Sequence, residues 1–133
     1  MRNRPLLAMI DEQQSDEAVR VTVVLGWQDR AFEGEALGDA EDSLRPRLVG
    51  EATLRAVERV TAGRLLLDLT AVATTDLGDA QVAMAQVRAD SSPDSLVGSA
   101  MIRENDPAKA TARAVLDAIN RKLEMIITAT EPA

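Results

Sequence analysis

The stretch LVGSAMIRENDPAKATARAVLDAINRKL, residues 96–123, decides the fold of this chain. It opens with a short apolar run, turns at Asn105-Asp106-Pro107, and continues as an Ala-rich segment with apolar residues at helical spacing. Asp106 suits the N-cap because its carboxylate accepts hydrogen bonds from free amides of the first turn. Pro107 suits the first helical position, where a missing N–H costs nothing. The sequence predicts a strand over 96–103 and a helix from Asp106 to about Ile127, with the chain's own carboxylate rather than a bound anion at the helix start.

The first half of the chain repeats this order. β-Branched residues predict a strand over 19–28, a second strand follows over 31–38, and helical spacing up to Gly63 predicts a long helix. Gly34-Glu35-Ala36 in this half corresponds to Gly98-Ser99-Ala100 in the other half. Strands over 64–74 and 80–89, joined by a turn at Leu77-Gly78-Asp79, complete the second half.

This order, ββα followed by βββα, predicts an α+β fold with an internal duplication. Hairpins that lead into helices favour a two-layer sandwich, a mainly antiparallel sheet with both long helices on one face. On the strand over 64–74, one face then carries Leu65, Leu67, Leu69, Ala71 and Ala73, and the other carries Leu66, Asp68, Thr70 and Val72. The second set is too apolar for a face that stays in water. We therefore expect a homodimer that covers the bare side of the sheet.

The chain is expected to hold a single domain over residues 19–127. Residues 1–18 are polar and acidic apart from a few apolar residues between Leu6 and Ile10, so we expect a flexible N-terminal segment. The alternative is that this apolar piece docks on a neighbour. Residues 128–133, TATEPA, are expected to be a disordered tail.

The composition excludes several classes of chemistry. The chain has no Cys and no His, which rules out disulfides, Cys/His metal sites, histidine acid–base catalysis and Ser-His-Asp triads. No carboxylates are spaced as in a calcium loop, and no glycine pattern binds phosphate, so we expect no metal and no cofactor. An enzyme that uses carboxylates has the least support, since only Glu33 and Glu35 share one strand face. We expect no catalytic activity.

The net charge of −7 argues against a nucleic-acid partner. The nearest approach to a basic stripe lies between positions 45 and 64, and acidic residues are interspersed there. No apolar run approaches the length that crosses a membrane, and the apolar run near the start is too short for a signal peptide. We expect a cytoplasmic protein with neither a membrane nor a nucleic-acid partner.

The second half resembles the C-terminal regulatory domain of 2-isopropylmalate synthases and the related citramalate synthases. The resemblance covers about residues 60–123. It rests on Gly98, on Asp106 at a helix start, on the small residues of that helix and on the closing Ala118-Ile119-Asn120-Arg121; upstream it includes DLTAVATTDLGDAQVAMAQV. Gly78 directly precedes Asp79, where the family commonly has a residue between them. The family has a Gly-rich stretch before its first helix. At that position this sequence has Gly38-Asp39-Ala40-Glu41-Asp42.

The resemblance implies two related βββα units that pair across a twofold axis and bind an end-product amino acid near the dimer interface. In the synthases such domains inhibit a distant catalytic barrel, and this sequence contains no barrel. We expect a non-catalytic regulatory and dimerisation module that binds a small metabolite such as a branched-chain amino acid through Gly78, Asp79, Gly98 and Ser99. For Gly78 and Asp79 the simpler interpretation is a plain turn. The alternative function is an interaction subunit of a larger complex, with a protein partner and no small ligand.

Overall fold

The computed structural model describes residues 4–90 and 92–130, which form six strands and two α-helices in the order βββα-βββα. The first unit consists of β1 Leu6–Ser15, β2 Ala18–Trp27, β3 Arg30–Asp39 and α1 Arg45–Val60, with a short 3-10 turn at Asp42–Leu44 before the helix. The second unit consists of β4 Leu67–Leu77, β5 Ala80–Ala89, β6 Ser95–Met101 and α2 Pro107–Thr130.

The strands of each unit form an antiparallel sheet, in the orders β1-β2-β3 and β4-β5-β6. The α+β class, the antiparallel pairing and the duplication are therefore confirmed. Each unit is itself a two-layer pair of sheet and helix. The strands belong to two separate three-stranded sheets instead of one, and the first unit has a third strand that the sequence analysis did not predict.

That third strand, β1, lies in the segment that was expected to be flexible. It pairs with β2 from Leu6 opposite Gly26 to Ser15 opposite Ala18. Its first half, residues 6–10, is apolar and its second half, residues 11–15, is polar, and most of its side chains are exposed at the sheet edge. It therefore lacks the apolar alternation by which strands are recognised. Backbone hydrogen bonds hold it instead, and Arg45 Nη1 donates to its Glu12 Oε2 at 2.7 Å. The prediction for residues 1–18 is wrong from Leu6 onward, and residues 1–3 lie outside the described part.

In both units a glycine brings a strand into direct contact with a helix backbone. A Cβ built on Gly34 would lie 2.2 Å from Ala52 O and Ala56 N of α1. A Cβ built on Gly98 would lie 2.3 Å from Ala114 O and Ala118 N of α2. Atoms do not approach this closely, so the two positions require glycine and the facing helix positions require small residues. The segments 34–36 and 98–100 therefore correspond because each places a strand glycine against the backbone of a helix.

Each helix is covered on more than one side. A Cβ built on Gly50 of α1 would lie 2.8 Å from Leu69 Cδ2 of β4, which belongs to the other unit. Gly50 lies on roughly the opposite side of α1 from Ala52 and Ala56, since about 3.6 residues make one turn. The helices also contact each other, and α2 buries Ala110, Ala114 and Ala118 in addition to its predicted apolar stripe. The core thus lies around two adjacent helices.

A β-bulge changes the predicted faces of β4. Leu69 pairs with Val87, the register shifts between Leu69 and Ala71, and Val72 then pairs with Ala85. The extra residue at the bulge reverses the alternation of side chains. Leu67, Leu69 and Val72 consequently face the helices, whereas Ala71 and Ala73 lie on the outer face. The predicted assignment was right up to Leu69 and wrong beyond it.

The predicted ends of the helices agree with the structure to within a few residues. Asp106 Oδ1 accepts a hydrogen bond from Lys109 N at 3.1 Å, and Pro107 begins α2, which confirms the N-cap. At the end of α1, Gly63 has φ +81° and its N–H donates to Glu58 O at 2.9 Å, as in a Schellman motif. The prediction of a disordered tail over residues 128–133 is wrong for 128–130, because α2 continues to Thr130. Residues 131–133 lie outside the described part.

We predict that Gly98→Ala lowers the free energy of unfolding by about 2–3 kcal/mol, because the added methyl forces β6 away from α2. Chemical denaturation followed by circular dichroism measures this change. Gly26→Ala is the matched control, since Gly26 also lies in a strand but a Cβ there meets nothing within 4 Å. We expect it to lie within about 1 kcal/mol of the wild type. Equal effects of the two substitutions would contradict the close contact.

Candidate interface and clefts

The four residues predicted to bind a ligand do not form one site. Gly78 and Asp79 make the turn between β4 and β5, where Gly78 has φ +61°. Gly98 pairs with Ala85, six residues along β5 from Asp79. At about 3.3 Å per residue this separates the two pairs by about 20 Å. None of the four lines the clefts described below.

The backbone at Gly98 and Ser99 is already engaged within the fold. Gly98 is buried against α2, and the Ser99 N–H donates to Asp117 Oδ2 of that helix at 2.9 Å. This bond occupies a backbone donor on the open edge of β6, which an added strand or a ligand would otherwise use. The close contact with α2 therefore accounts for glycine at position 98, and the Ser99 backbone has a structural bond of its own.

We predict that Asp117→Ala lowers the free energy of unfolding by about 1 kcal/mol, because the Ser99 N–H loses its acceptor. Asp117→Asn should retain most of the stability, since the amide oxygen can accept the same bond. Thermal and denaturant unfolding of both variants measures the difference. If Asp117→Asn destabilised the chain as much as Asp117→Ala, the carboxylate charge rather than this hydrogen bond would be responsible.

The duplication allows the outer faces of the two sheets, away from the helices, to be compared position by position. At the centre of the first sheet, Thr22 is flanked by Asp11 and Glu35. At the centre of the second, Met84 is flanked by Ala73 and Ser99. Two residues further along the first sheet, Glu33 lies opposite Val24. The equivalent pair in the second sheet is Val97 opposite Gln86. The first outer face is therefore charged at positions where the second is not.

The second outer face, which we call the neutral face, carries ten uncharged residues. They are Ala71, Ala73, Thr75, Leu77, Val82, Met84, Gln86, Val97, Ser99 and Met101. Large apolar side chains on it are well exposed, including Leu77 at 70% and Val97 at 60%. At its end Asp68 pairs across the strands with Arg88, so the charges there cancel. In a chain with a net charge of −7, a surface of this size without net charge is a candidate interface.

The tip of the β4–β5 hairpin extends the neutral face. Residues 73–79 are exposed on both sides of β4, because the helices do not cover this end of the sheet. Leu77, beside the Gly78-Asp79 turn, is the most exposed large apolar residue of the described chain. The hairpin therefore presents apolar surface beyond the body of its own unit.

Three clefts lie on other parts of the surface. The aromatic cleft, of about 620 Å³, includes Arg30, Phe32 and Arg59 in its lining. There the Arg30 guanidinium carbon lies 5.1 Å from the Phe32 ring centroid, and the Trp27 and Phe32 centroids are 6.4 Å apart. The α1–β4 cleft, of about 260 Å³, is lined by Glu35, Ala36, Arg47, Glu51, Arg55, Asp68 and Leu69. The β1–α2 cleft, of about 370 Å³, is lined by Leu7, Ala8, Met9, Ile10, Glu12, Asp106, Ala108, Lys109 and Arg113.

The α1–β4 cleft is bridged by side chains of α1. Arg47 Nη2 donates to Leu69 O at 3.0 Å, and Arg55 Nη2 donates to Leu67 O at 2.8 Å. Glu58 Oε2 accepts from Leu67 N at 2.9 Å. These bonds satisfy the free edge of β4 with groups from the first unit, so they join the two units.

Across residues 4–90 and 92–130, no group of three or more acidic side chains is placed to hold a metal ion. Neither described helix is long and apolar enough to cross a membrane. Asn120 and Arg121, singled out by their position in the sequence, lie late in α2; Arg121 is exposed, and Asn120 Oδ1 is buried without a hydrogen-bond partner in the described chain.

Sequence reasoning missed the neutral face as a whole, although its signal was present. It becomes visible when the two halves are aligned on Gly34 and Gly98, since Glu33 and Glu35 then correspond to Val97 and Ser99. The bulge at β4 hid the remainder, because it moves Ala71 and Ala73 to this face. No protein-family model matches this chain, and a search of curated proteins finds no match.

Proposed function

We propose that this chain is a non-catalytic regulatory module that self-associates through the neutral face and responds to a small metabolite. The observation that carries the proposal is the difference between two otherwise equivalent sheets. One outer face keeps charges that hold it in water, and the other lacks them at the same positions. A difference confined to one of two duplicated surfaces points to a role of that surface.

A second copy of the chain is the occupant that the charges favour. Two copies carry a net charge of −7 each and repel, so their contact requires a surface without net charge. The neutral face meets this requirement, and an isologous contact places Met84 and its neighbours against the same residues of the partner. The outer face of the first sheet, with Asp11, Glu33 and Glu35, would instead bring like charges together.

The regulatory part of the proposal draws on the resemblance to the regulatory domains of 2-isopropylmalate and citramalate synthases. The βββα-βββα order is the arrangement that this resemblance implies. Within the proposal the chain acts in the cytoplasm as a dimer, binds a small aliphatic metabolite and controls an activity that resides elsewhere. Within the proposal the ligand site lies away from Gly78, Asp79, Gly98 and Ser99, because the two pairs are far apart and the Gly98-Ser99 backbone contacts α2.

A second candidate function is a ligand-free subunit of a larger complex. The exposed apolar residues of β1 favour it, since Leu6 at 64% and Met9 at 52% lie on the outer face of the first sheet. In this alternative the neutral face contacts a different protein. The oligomeric state of the isolated chain separates the two candidates.

We predict that the purified chain is a dimer and that Val97→Glu with Ser99→Glu makes it a monomer. These substitutions give the neutral face the acidic residues of the first sheet at equivalent positions. Opposed like charges in an interface cost several kcal/mol, so the dissociation constant should rise by at least about 100-fold. Size-exclusion chromatography with light scattering, over a range of concentrations, measures the change.

The matched control for this experiment is Thr22→Glu with Leu37→Glu, which adds the same charge to the outer face of the first sheet. We expect it to leave the dimer intact. A wild-type chain that is monomeric at all concentrations would overturn the self-association. A dimer disrupted by the control and not by the test variant would assign the interface to the other sheet.

We further predict that a screen of leucine, isoleucine, valine and short aliphatic acids raises the melting temperature with at least one compound. A ligand at 100 times its dissociation constant stabilises the folded state by about 2.7 kcal/mol. For a domain of this length that corresponds to roughly 10 °C. Differential scanning fluorimetry measures it, with glycine and acetate as controls that lack an aliphatic chain. A flat screen would remove the metabolite from the proposal and leave the self-association to be judged separately.

A further inference from the structure

The β1–α2 cleft combines an apolar wall with two unpaired cations. Leu7 and Ile10 of β1 are partly buried and pack against the core, and Ala108 of α2 is partly buried beside them. Lys109 and Arg113 line the same cleft and are exposed. Its volume of about 370 Å³ lies in the range of sites for small ligands.

Lys109 and Arg113 stand one helical turn apart, so their like charges face each other along α2. Such a pair at i and i+4 destabilises a helix. Among the described residues, neither side chain forms an ion pair within 4.0 Å. Asp117, one turn further along, accepts the Ser99 N–H instead. Within residues 4–90 and 92–130, the two cations therefore have no ion-pair partner within 4.0 Å.

The equivalent place in the other half, the α1–β4 cleft, shows how the charges of such a cleft are paired within the chain. There Arg47 and Glu51 occupy the positions of Lys109 and Arg113 relative to the glycine contact. They form an ion pair at 3.0 Å, and Arg47 also donates to Leu69 O at 3.0 Å. Replacement of an acid–base pair by two bases removes this ion pair. The β1–α2 cleft therefore keeps two basic side chains that form no ion pair with a described residue.

The carboxylates in the cleft are engaged in other bonds. Glu12 Oε2 accepts from Arg45 Nη1 at 2.7 Å, and Asp106 Oδ1 caps α2 through Lys109 N at 3.1 Å. Each of these carboxylates thus already accepts a hydrogen bond from a group other than the side chains of Lys109 and Arg113. The lining holds two carboxylates and two cations, and the cations are the groups without an ion pair among the described residues.

We propose that the β1–α2 cleft binds a short aliphatic monocarboxylate, with its carboxylate between Lys109 and Arg113 and its chain against Leu7 and Ile10. The planar guanidinium of Arg113 matches both carboxylate oxygens. The two carboxylates of the cleft already accept hydrogen bonds, whereas Lys109 and Arg113 form no ion pair with a described residue. A carboxylate therefore gains more here than an α-ammonium group, and the simple acid binds more tightly than the corresponding amino acid. The inference rests on the metabolite-binding part of the proposed function and is independent of self-association.

The test is a titration of the intact chain with 3-methylbutanoate, followed by isothermal calorimetry and by ¹H–¹⁵N correlation spectra. Three comparators separate the parts of the ligand: acetate lacks the chain, 3-methylbutan-1-ol lacks the carboxylate, and leucine adds an ammonium. We expect 3-methylbutanoate to bind at least tenfold more tightly than each, with shifts confined to β1 and the start of α2. Equal or tighter binding of leucine or of the alcohol would overturn the assignment of the ligand class.

Two variants test the residues. Arg113→Glu should weaken binding of 3-methylbutanoate by more than tenfold, and Arg113→Lys should give an intermediate loss because it retains the charge without the planar fork. The control is Arg121→Glu, an equal change two turns along the same exposed stripe, which should stay within twofold of the wild type. Binding that resists Arg113→Glu, or that fails equally in Arg121→Glu, would overturn the site.

Light scattering on the same samples separates this inference from the proposed function. A dimer that fails to bind 3-methylbutanoate refutes the carboxylate site and leaves the self-association standing. A dimer that binds leucine with unchanged affinity in Arg113→Glu places the metabolite elsewhere and refutes only this cleft. A monomer that binds 3-methylbutanoate in the predicted way supports the site while it overturns the dimer.

Discussion

The contact between a strand glycine and the backbone of a helix fixes the rest of this structure. Gly34 against Ala52 and Ala56, and Gly98 against Ala114 and Ala118, bring each sheet closer to its helix than any side chain would allow. With almost no aromatic residues, the core needs such close approach to reach the usual packing density. The register of β3 and β6 follows from it. Because side chains alternate along a strand, the residues on either side of each glycine point away from the helix. These are Glu33 and Glu35 in one unit and Val97 and Ser99 in the other.

The part of the fold that could be predicted from the sequence is the part where side-chain chemistry dictates backbone geometry. Asp106 and Pro107 mark a helix start because capping needs those residue types, and Gly63 marks a helix end because a left-handed residue is needed there. β5 was predicted with its observed bounds, since the Leu77-Gly78-Asp79 turn precedes it and the polar run after Ala89 ends it. These signals are local, and each can be interpreted without knowledge of what packs against it.

The features that could not be predicted depend on contacts between distant segments. β1 lacks apolar alternation and forms because β2 offers hydrogen bonds, and composition does not report such a partner. The separation into two sheets depends on α1 reaching β4 through Gly50, Arg47 and Arg55. The bulge near Leu69 moves Ala71 and Ala73 outward, and no residue type marks it. The contacts of Gly98 and Ser99 with α2 could not be predicted for the same reason, because they join segments that are distant in the sequence.

An internal duplication supplies a comparison that a single unit lacks. Equivalent positions share a backbone environment, so a change of residue type between them is more readily attributed to a surface role than to the fold. Where the first unit has Glu35, the second has the uncharged Ser99. Where the first unit has the acidic Glu51, the second has the basic Arg113. Neither change is needed by the glycine contacts, which are retained in both units. The two differences lie on different surfaces, one on the outer side of the second sheet and one between β1 and α2. A module that assembles through one surface and binds a ligand at another needs these two changes, and a symmetrical structural unit needs neither.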